Sequence, residues 1–253
     1  MSGPVPPIDE LRERLRAAPS ICVLTGAGMS AESGIATFRD ALTGLWSRFD
    51  PAQLASEQGF RANPKLVWDW YAERRAGVRA AEPNAGHRAL GGFAGRHPGR
   101  LTVISQNVDD LDQRAGNADT IRLHGDILED RWLEPCARSP GCDTARASAG
   151  TPPRCAECGN ALRPGVVWFG EALPLAALDA AESAVNCCAV MLVVGTSGAV
   201  WPAAGLAGRA RRRGAFVAIL NPHESEIDDE AHVVLRGTAA TLLPALFDGS
   251  DRL

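Results

Sequence analysis

The residues best suited to chemistry in this chain are polar side chains that directly follow apolar, β-rich runs. His124 closes the run TIRLHG, and Asn107 and Asp109 follow the run LTVIS. An imidazole with an unperturbed pKa of about 6.5 suits a general base at neutral pH. An amide and a carboxylate nearby can hold a ribose or an attacking water. Each residue alone would also fit an ordinary turn. Four such strand ends meeting at one sheet edge, those of the runs at 21–26, 101–107, 120–125 and 190–197, favour a site.

A glycine-rich turn follows the first apolar run. Gly26 and Gly28 fit the dinucleotide fingerprint, with Ala31 at its third position. Glycines there permit a tight turn and let the backbone approach a pyrophosphate, although a tight turn without a ligand is the alternative. A redox Rossmann domain also needs an acidic residue about 20 residues on, at the end of a second strand. Asp50 lies near that distance but follows no convincing β-run, which disfavours hydride transfer.

Four cysteines predict a structural metal site. The second pair has the tight C-x-x-C spacing of a zinc knuckle, whereas the first pair is more widely spaced than usual. Four thiolates would close a tetrahedral zinc shell with no open position, so the metal would stabilise the fold and not act in catalysis. Four thiols without a metal are the alternative. The predicted ligands are Cys136, Cys142, Cys155 and Cys158.

The elements that must position these residues alternate between strands and helices. This rhythm, with continuous apolar strands, predicts an α/β fold with a Rossmann-like parallel sheet, helices on both faces and a small zinc-binding module. The predicted strands cover 21–26, 101–107, 120–125, 190–197, 215–220 and 232–237. The predicted helices cover 8–18, 64–80, 86–95, 174–186, 202–213 and 239–247.

Composition and the position of loop-forming stretches suggest how the chain is divided into domains and in which compartment it is found. We expect a flexible tail at 1–7, a dinucleotide-binding domain formed by 8–129 and 166–253, and an inserted zinc module at 130–165 joined by part of 36–80. The net charge of −4 gives no reason to expect nucleic acid as a partner, and we find no membrane span or signal peptide. Clustered cysteines without a secretion signal indicate a reducing compartment, so we expect a cytoplasmic protein. We also expect it to be a monomer.

Motifs along nearly the whole chain resemble those of sirtuins, the NAD-dependent protein lysine deacylases. In family order, from about residue 20 to residue 247, they are GAGMSAESGIATFRD, SQNVDDLDQRAG, RLHG, the four-cysteine insert, VVWFGE, GTS and ILNPHE. The resemblance implies that NAD is consumed: the oxygen of an acylated lysine attacks the nicotinamide ribose, and nicotinamide leaves. It further implies that His124 activates a ribose hydroxyl, which yields free lysine and an O-acyl-ADP-ribose. Zinc in the cysteine insert is implied as well.

The resemblance also assigns site residues by position. The run VVWFGE resembles the family's substrate-binding strand, to which a peptide adds through main-chain hydrogen bonds, although a buried strand is the alternative. Asp112 stands where the family usually has histidine. Within the run VVWFGE, the implied substrate contacts are Val167, Phe169, Gly170 and Glu171. The implied NAD contacts are Gly26, Ala27, Gly28, Phe38, Arg39, Gln106, Asn107, Asp109, Gly195, Thr196, Ser197, Asn221 and Ala239.

The helix predicted over 64–80 bears on which acyl group is removed. Tyr71 and Arg74 share one face with Val67 and Val78, so a guanidinium lies on an otherwise apolar stripe and needs a charged partner. That partner is either an internal carboxylate or the substrate. A Tyr-x-x-Arg pair at this place resembles the sirtuin subgroup that removes succinyl and malonyl groups, and Ala55 matches a small residue that leaves room for the acyl chain. The resemblance therefore implies a preference for acidic acyl-lysines.

Other functions compete with this interpretation. An NAD-linked dehydrogenase would give no role to the cysteine insert. A nucleic-acid-binding module would need basic residues interleaved with the cysteines, and the chain has few there. A sirtuin-like protein that is mainly a deacetylase, or that transfers ADP-ribose to proteins, remains open on the sequence alone.

Overall fold

The computed structural model describes residues 7–35, 50–135 and 147–247. Phe38, Arg39, Cys136 and Cys142, all predicted to be site residues, lie outside these ranges. In chain order the helices and strands are α1 (Pro7–Ala17), β1 (Ile21–Thr25), α2 (Ala27–Ala31), α3 (Pro51–Leu54), α4 (Glu57–Ala62), α5 (Pro64–Ala80), α6 (Ala85–Arg96), β2 (Leu101–Ser105), α7 (Leu111–Arg114), β3 (Ile121–Arg122), β4 (Gly125–Trp132), β5 (Ala147–Ser148), β6 (Arg154–Cys155), β7 (Leu162–Val166), α8 (Leu175–Cys187), β8 (Val190–Val194), α9 (Gly205–Arg212), β9 (Phe216–Leu220), β10 (Val233–Leu235) and α10 (Ala239–Phe247).

Six of the strands form one parallel sheet in the order β10-β9-β8-β1-β2-β3. The chain runs outward from β1 through β2 to β3, then returns to the other side of β1 and runs outward again through β8, β9 and β10. This is the Rossmann order, and it creates a topological switch point between β1 and β8. Folds of this type bind ligands outside the carboxyl ends of the strands at that point.

Helices cover both faces of the sheet. One apolar cluster contains buried residues of α1, α6 and α10, and a second contains buried residues of α8 and α9. The predicted Rossmann-like α/β fold is thus confirmed. Among the described residues, none of the helices has the length and apolar character required to cross a bilayer.

Element boundaries differ from the prediction mainly at the carboxyl ends of strands. The strands predicted to reach residues 107, 125 and 197 stop at Ser105, Arg122 and Val194. The polar residues at these points therefore lie in loops just beyond the sheet, where they are available to a ligand. The helix predicted from 202 begins only at Gly205, and the first helix begins one residue early, at Pro7. Proline suits a first helical position because its missing N–H has no partner there in any helix.

An antiparallel pair, β4 and β7, lies outside the main sheet. Strand β7 covers Leu162–Val166, so only the first residue of the run VVWFGE lies within a strand of this structure. The chain leaves the strand in a turn closed by a hydrogen bond from Glu171 N to Trp168 O, with Gly170 at φ +87°. Residues of β4 and β7 pack with α3, α4 and α5 in a third apolar cluster. The division into domains remains a prediction.

Candidate functional site

Two glycine loops meet at the switch point. Gly26 N donates to Val194 O at 2.9 Å, and Gly28 N donates to Gly195 O at 2.8 Å. A Cβ on Gly28 would lie 2.7 Å from Gly195 Cα, and Gly195 itself has a φ of +62°. The glycines therefore allow the loop after β1 and the loop after β8 to touch, main chain against main chain. This contact lies at the carboxyl ends of β1 and β8, where dinucleotides bind in this topology.

Side-chain hydrogen bonds tie the loop after β8 to its neighbours. Gln106 Nε2 donates to Thr196 Oγ1 at 3.3 Å, and Asn221 Nδ2 donates to Thr196 O at 3.1 Å. Ser197 Oγ accepts from the main chain of Ala199 at 3.4 Å. The structure thus brings together the predicted NAD contacts after β2, β8 and β9. Ala239 differs, since its side chain is buried in the core at the start of α10.

Asn107 and Asp109 share a partner that the sequence did not reveal. Asn107 Nδ2 donates to Gly26 O at 3.1 Å and to Ser30 Oγ at 3.2 Å. Burial raises the pKa of Asp109, while the Leu111 N–H and the Ser30 hydroxyl lower it. Ser30 is 1% exposed and lies one helical turn after Gly26. That spacing, which points a hydroxyl back toward the glycine loop, is the signal that could have identified it.

His124 lies in the turn between β3 and β4 and is half-buried. Its Nδ1 is 2.7 Å from Gln106 O. A carbonyl oxygen can only accept, so Nδ1 carries the proton and the neutral ring presents an unprotonated Nε2. Burial lowers the pKa of His124, and the Gln106 carbonyl opposes that effect. The histidine is therefore prepared to act as a base, with its ring orientation fixed by the loop that also carries Asn107.

Asp112 is buried directly behind this site. It is 3% exposed, and its Oδ1 has no hydrogen-bond partner among the described residues. Burial raises its pKa to about 7, and the charge of Asp109 adds to this, whereas Ser105 and Arg122 oppose it. Asp112, which replaces the histidine usual in sirtuins, is thus a carboxyl group that is still partly protonated at neutral pH.

The residues predicted to recognise the acyl group lie together. Ala55 and Tyr71 belong to the third apolar cluster, and Arg74 is half-buried beside them. The guanidinium carbon of Arg74 is 4.8 Å from the Trp70 ring centroid and 6.0 Å from that of Tyr71. Burial lowers the pKa of Arg74, and Tyr71 and Asp109 raise it. Arginine nonetheless stays a cation in proteins, so Arg74 places a positive charge close to Tyr71 and Asp109.

The adjacent Arg75 on the same helix has an internal carboxylate as a partner. It bonds to Asp130 and to the main-chain oxygens of Ile127 and Glu129. The sequence singled out Arg74 and overlooked Arg75, because helical spacing alone did not show that β4 lies against this part of α5.

The segment after β7 connects His124 to Ala55, one of the residues predicted to recognise the acyl group. Val167 N donates to His124 O, and Phe169 N donates to Ala55 O, both at 2.9 Å. Phe169 is 56% exposed. The Glu171 carboxylate instead faces inward and accepts from Arg163, Arg131 and the main chain of Trp168. Burial would raise the pKa of Glu171, but these donors outweigh it and hold the pKa below its usual value.

Two of the four predicted zinc ligands are described. Cys155 on β6 is buried, and Cys158 is exposed three residues later. Gly159 N donates to Cys155 O at 2.9 Å and closes the turn between the two thiols. Within the described ranges no group of three or more side chains could hold a metal. Zinc therefore stays a prediction.

Comparison with known proteins identifies the family. The Sir2 family model matches residues 26–202. A protein of Ralstonia nicotianae named NAD-dependent protein deacylase is 52% identical over 237 residues, which is 94% of each chain. A protein of the same name from Methylococcus capsulatus is 51% identical over 249 residues, or 96% of this chain and 97% of that one.

Solved structures agree with this. A crystal structure of a Sir2 homologue–NAD complex superimposes with a TM-score of 0.86 at 38% identity, covering 99% of this chain and 96% of that one. The structure of Sir2Tm bound to a propionylated peptide gives a TM-score of 0.80 at 28% identity, with coverage of 96% and 98%. The fold, the motifs and these similarities agree, and they leave no place for a dehydrogenase. The chain belongs to the Sir2 family of NAD-dependent protein deacylases.

Proposed function

We propose that this deacylase removes succinyl and malonyl groups from protein lysines in preference to acetyl groups. The observation that carries the proposal is the pairing of Tyr71 with Arg74 on the inner face of α5, beside the small side chain of Ala55. An acetyl group offers these two residues nothing to bind. A succinyl or malonyl group ends in a carboxylate, which a guanidinium binds with two parallel hydrogen bonds.

The hydroxyl of Tyr71 can add a third hydrogen bond. Burial raises the pKa of Tyr71, while Arg74 and the hydrogen bond from Trp168 lower it, so the phenol keeps its proton at neutral pH. Hydrogen bonds to charged groups contribute about 1.5–3 kcal/mol each. Losing one of these bonds should therefore reduce the rate for an acidic acyl-lysine by roughly 10- to 100-fold, while the rate for acetyl-lysine should change little.

The residues at the sheet edge have distinct roles in the proposed reaction. When bound, NAD supplies an activated glycosidic bond at the nicotinamide ribose. His124 takes up a proton from a ribose hydroxyl through Nε2, and Gln106 O keeps the ring in position. Asn107 and Asp109 hold the ribose or the reacting groups, while the loops at 26–28 and 195–197 bind the rest of the dinucleotide. One water is consumed, and the products are free lysine, nicotinamide and an O-acyl-ADP-ribose.

The decisive experiment is mass spectrometry of matched acetyl-, succinyl- and malonyl-lysine peptides, with and without NAD. Arg74→Met should suppress desuccinylation by at least about tenfold and spare or improve deacetylation. Arg79→Met is the matched control, since Arg79 is an exposed residue of the same helix. Equal losses of both activities would overturn the acyl assignment. Label from NAD appearing on protein would instead indicate ADP-ribose transfer.

We infer four further properties from the sequence. The main chain of Val167, Phe169, Gly170 and Glu171 binds the acylated peptide, and the four cysteines hold one structural Zn²⁺. The enzyme works as a monomer in the cytoplasm. The tight turn from Cys155 to Cys158 supports the zinc assignment, because structural zinc sites commonly take two thiolates from such a C-x-x-C turn.

A further inference from the structure

Trp168 connects the segment after β7 to the helix that carries Tyr71 and Arg74. Its indole Nε1–H donates a 3.0 Å hydrogen bond to the Tyr71 hydroxyl oxygen, 97 residues away in the chain. Only 2% of Trp168 and 3% of Tyr71 is exposed. The contact is thus shielded from solvent, and its direction is fixed because an indole N–H can only donate.

The indole itself is held firmly. The guanidinium carbon of Arg163 lies 3.3 Å from the Trp168 ring centroid, and the Phe60 ring centroid lies 5.3 Å away. The main-chain N–H of Trp168 donates to Glu171 Oε2 at 2.8 Å. Arg163 bonds the same carboxylate and is 1% exposed. Stacking and hydrogen bonding from several sides therefore leave the indole little freedom to turn.

A phenol hydroxyl can both donate and accept, and its hydrogen rotates to suit its neighbours. Because the Trp168 N–H points at the Tyr71 oxygen, the hydroxyl hydrogen cannot point back at the indole. We propose that Trp168 is a positioning residue for acyl recognition, whose indole N–H orients the Tyr71 hydroxyl to donate to the carboxylate of a succinyl or malonyl group. This inference rests on the acyl preference proposed above.

The test is a double-mutant cycle between Trp168→Phe and Tyr71→Phe, assayed with succinyl- and acetyl-lysine versions of one peptide. Trp168→Phe should lower kcat/KM for the succinyl peptide by roughly fivefold to tenfold, mainly through KM, and change the acetyl value less than about twofold. In the Tyr71→Phe background the same substitution should cause no further selective loss. Tyr71 is the only tyrosine in the chain, so one NMR signal from labelled tyrosine reports loss of the hydrogen bond.

Should Trp168→Phe fail to fold, 3-benzothienylalanine at position 168 keeps the ring shape and replaces only the N–H with sulfur. Equal losses for both peptides, or a Trp168 effect that adds in full to that of Tyr71→Phe, would overturn the inference. Arg74→Met distinguishes a failure of the positioning role of Trp168 from a failure of the proposed acyl preference. If that variant is selective and the Trp168 variants are not, only the positioning role fails; if Arg74→Met is not selective, the acyl preference fails as well.

Discussion

Replacing Asp112 with asparagine should stabilise the protein in neutral and alkaline solution, although the residue lies beside the active site. The folded state raises the pKa of this carboxyl from 3.8 to about 7. Between these values the folded chain keeps a proton that the unfolded chain releases, so the free energy of unfolding falls as the pH rises. At about 1.4 kcal/mol per pH unit, the cost above pH 7 reaches roughly 4 kcal/mol as an upper limit.

Asparagine has the shape of the protonated carboxyl and never ionises, so Asp112→Asn removes this cost. The new amide replaces the Ser105 contact imperfectly. We therefore expect a gain of about 1–3 kcal/mol at about pH 8 and less than half of that gain near pH 5. Urea denaturation of wild type and variant at both pH values measures the difference. Asp119→Asn, on an exposed residue, makes the same change in charge and should leave stability within about 0.5 kcal/mol.

A loss of stability of Asp112→Asn at about pH 8, or an equal gain at both pH values, would contradict this effect of the buried proton. The first result would mean that the ionised carboxylate has a favourable partner in the folded state. The second would mean that the benefit comes from packing and not from the proton.

Two further predictions concern the base and the metal. His124→Ala should lower deacylation by at least about 100-fold without unfolding the protein, and a variant that kept most of its turnover in a peptide assay would remove His124 from its role. Because burial lowers the pKa of His124 below 6.5, the acidic limb of the kcat/KM profile should lie below that pH. Cys155→Ser should lose zinc, measured by atomic absorption, and should have a lower Tm. The deacylation rate of the protein that remains folded should change less. A fully stable, zinc-free variant would contradict this.

The main sheet could be predicted from sequence because its strands are buried on both faces. Runs such as that of β8, in which every residue is buried, have no polar interruptions and stand out against the amphipathic helices between them. The polar residues that follow each run could be found for the same reason. Parallel strands end at one edge of a sheet, so residues as distant in the chain as Gly26 and Thr196 were expected to meet.

Features that depend on contacts between distant parts of the chain could not be predicted. Strand β7 contains Pro164 and Gly165, and its ladder with β4 shifts register between Asp126 and Asp130, so neither strand shows a clean alternation. The ion pair of Arg75 with Asp130 depends on how β4 lies against α5. Helical spacing along α5 carries no information about that packing, so the sequence offered no reason to select Arg75.

The two main-chain hydrogen bonds from Val167 to His124 and from Phe169 to Ala55 act as a spacer between the proposed base and the proposed acyl site. Amide groups of the backbone are common to nearly all residues, so this spacing survives exchange of the side chains that it separates. At the proposed acyl site, we therefore expect a side-chain substitution to change which acyl group is accepted while the distance to the imidazole stays the same. Changes of specificity within this architecture need no redesign of the catalytic centre.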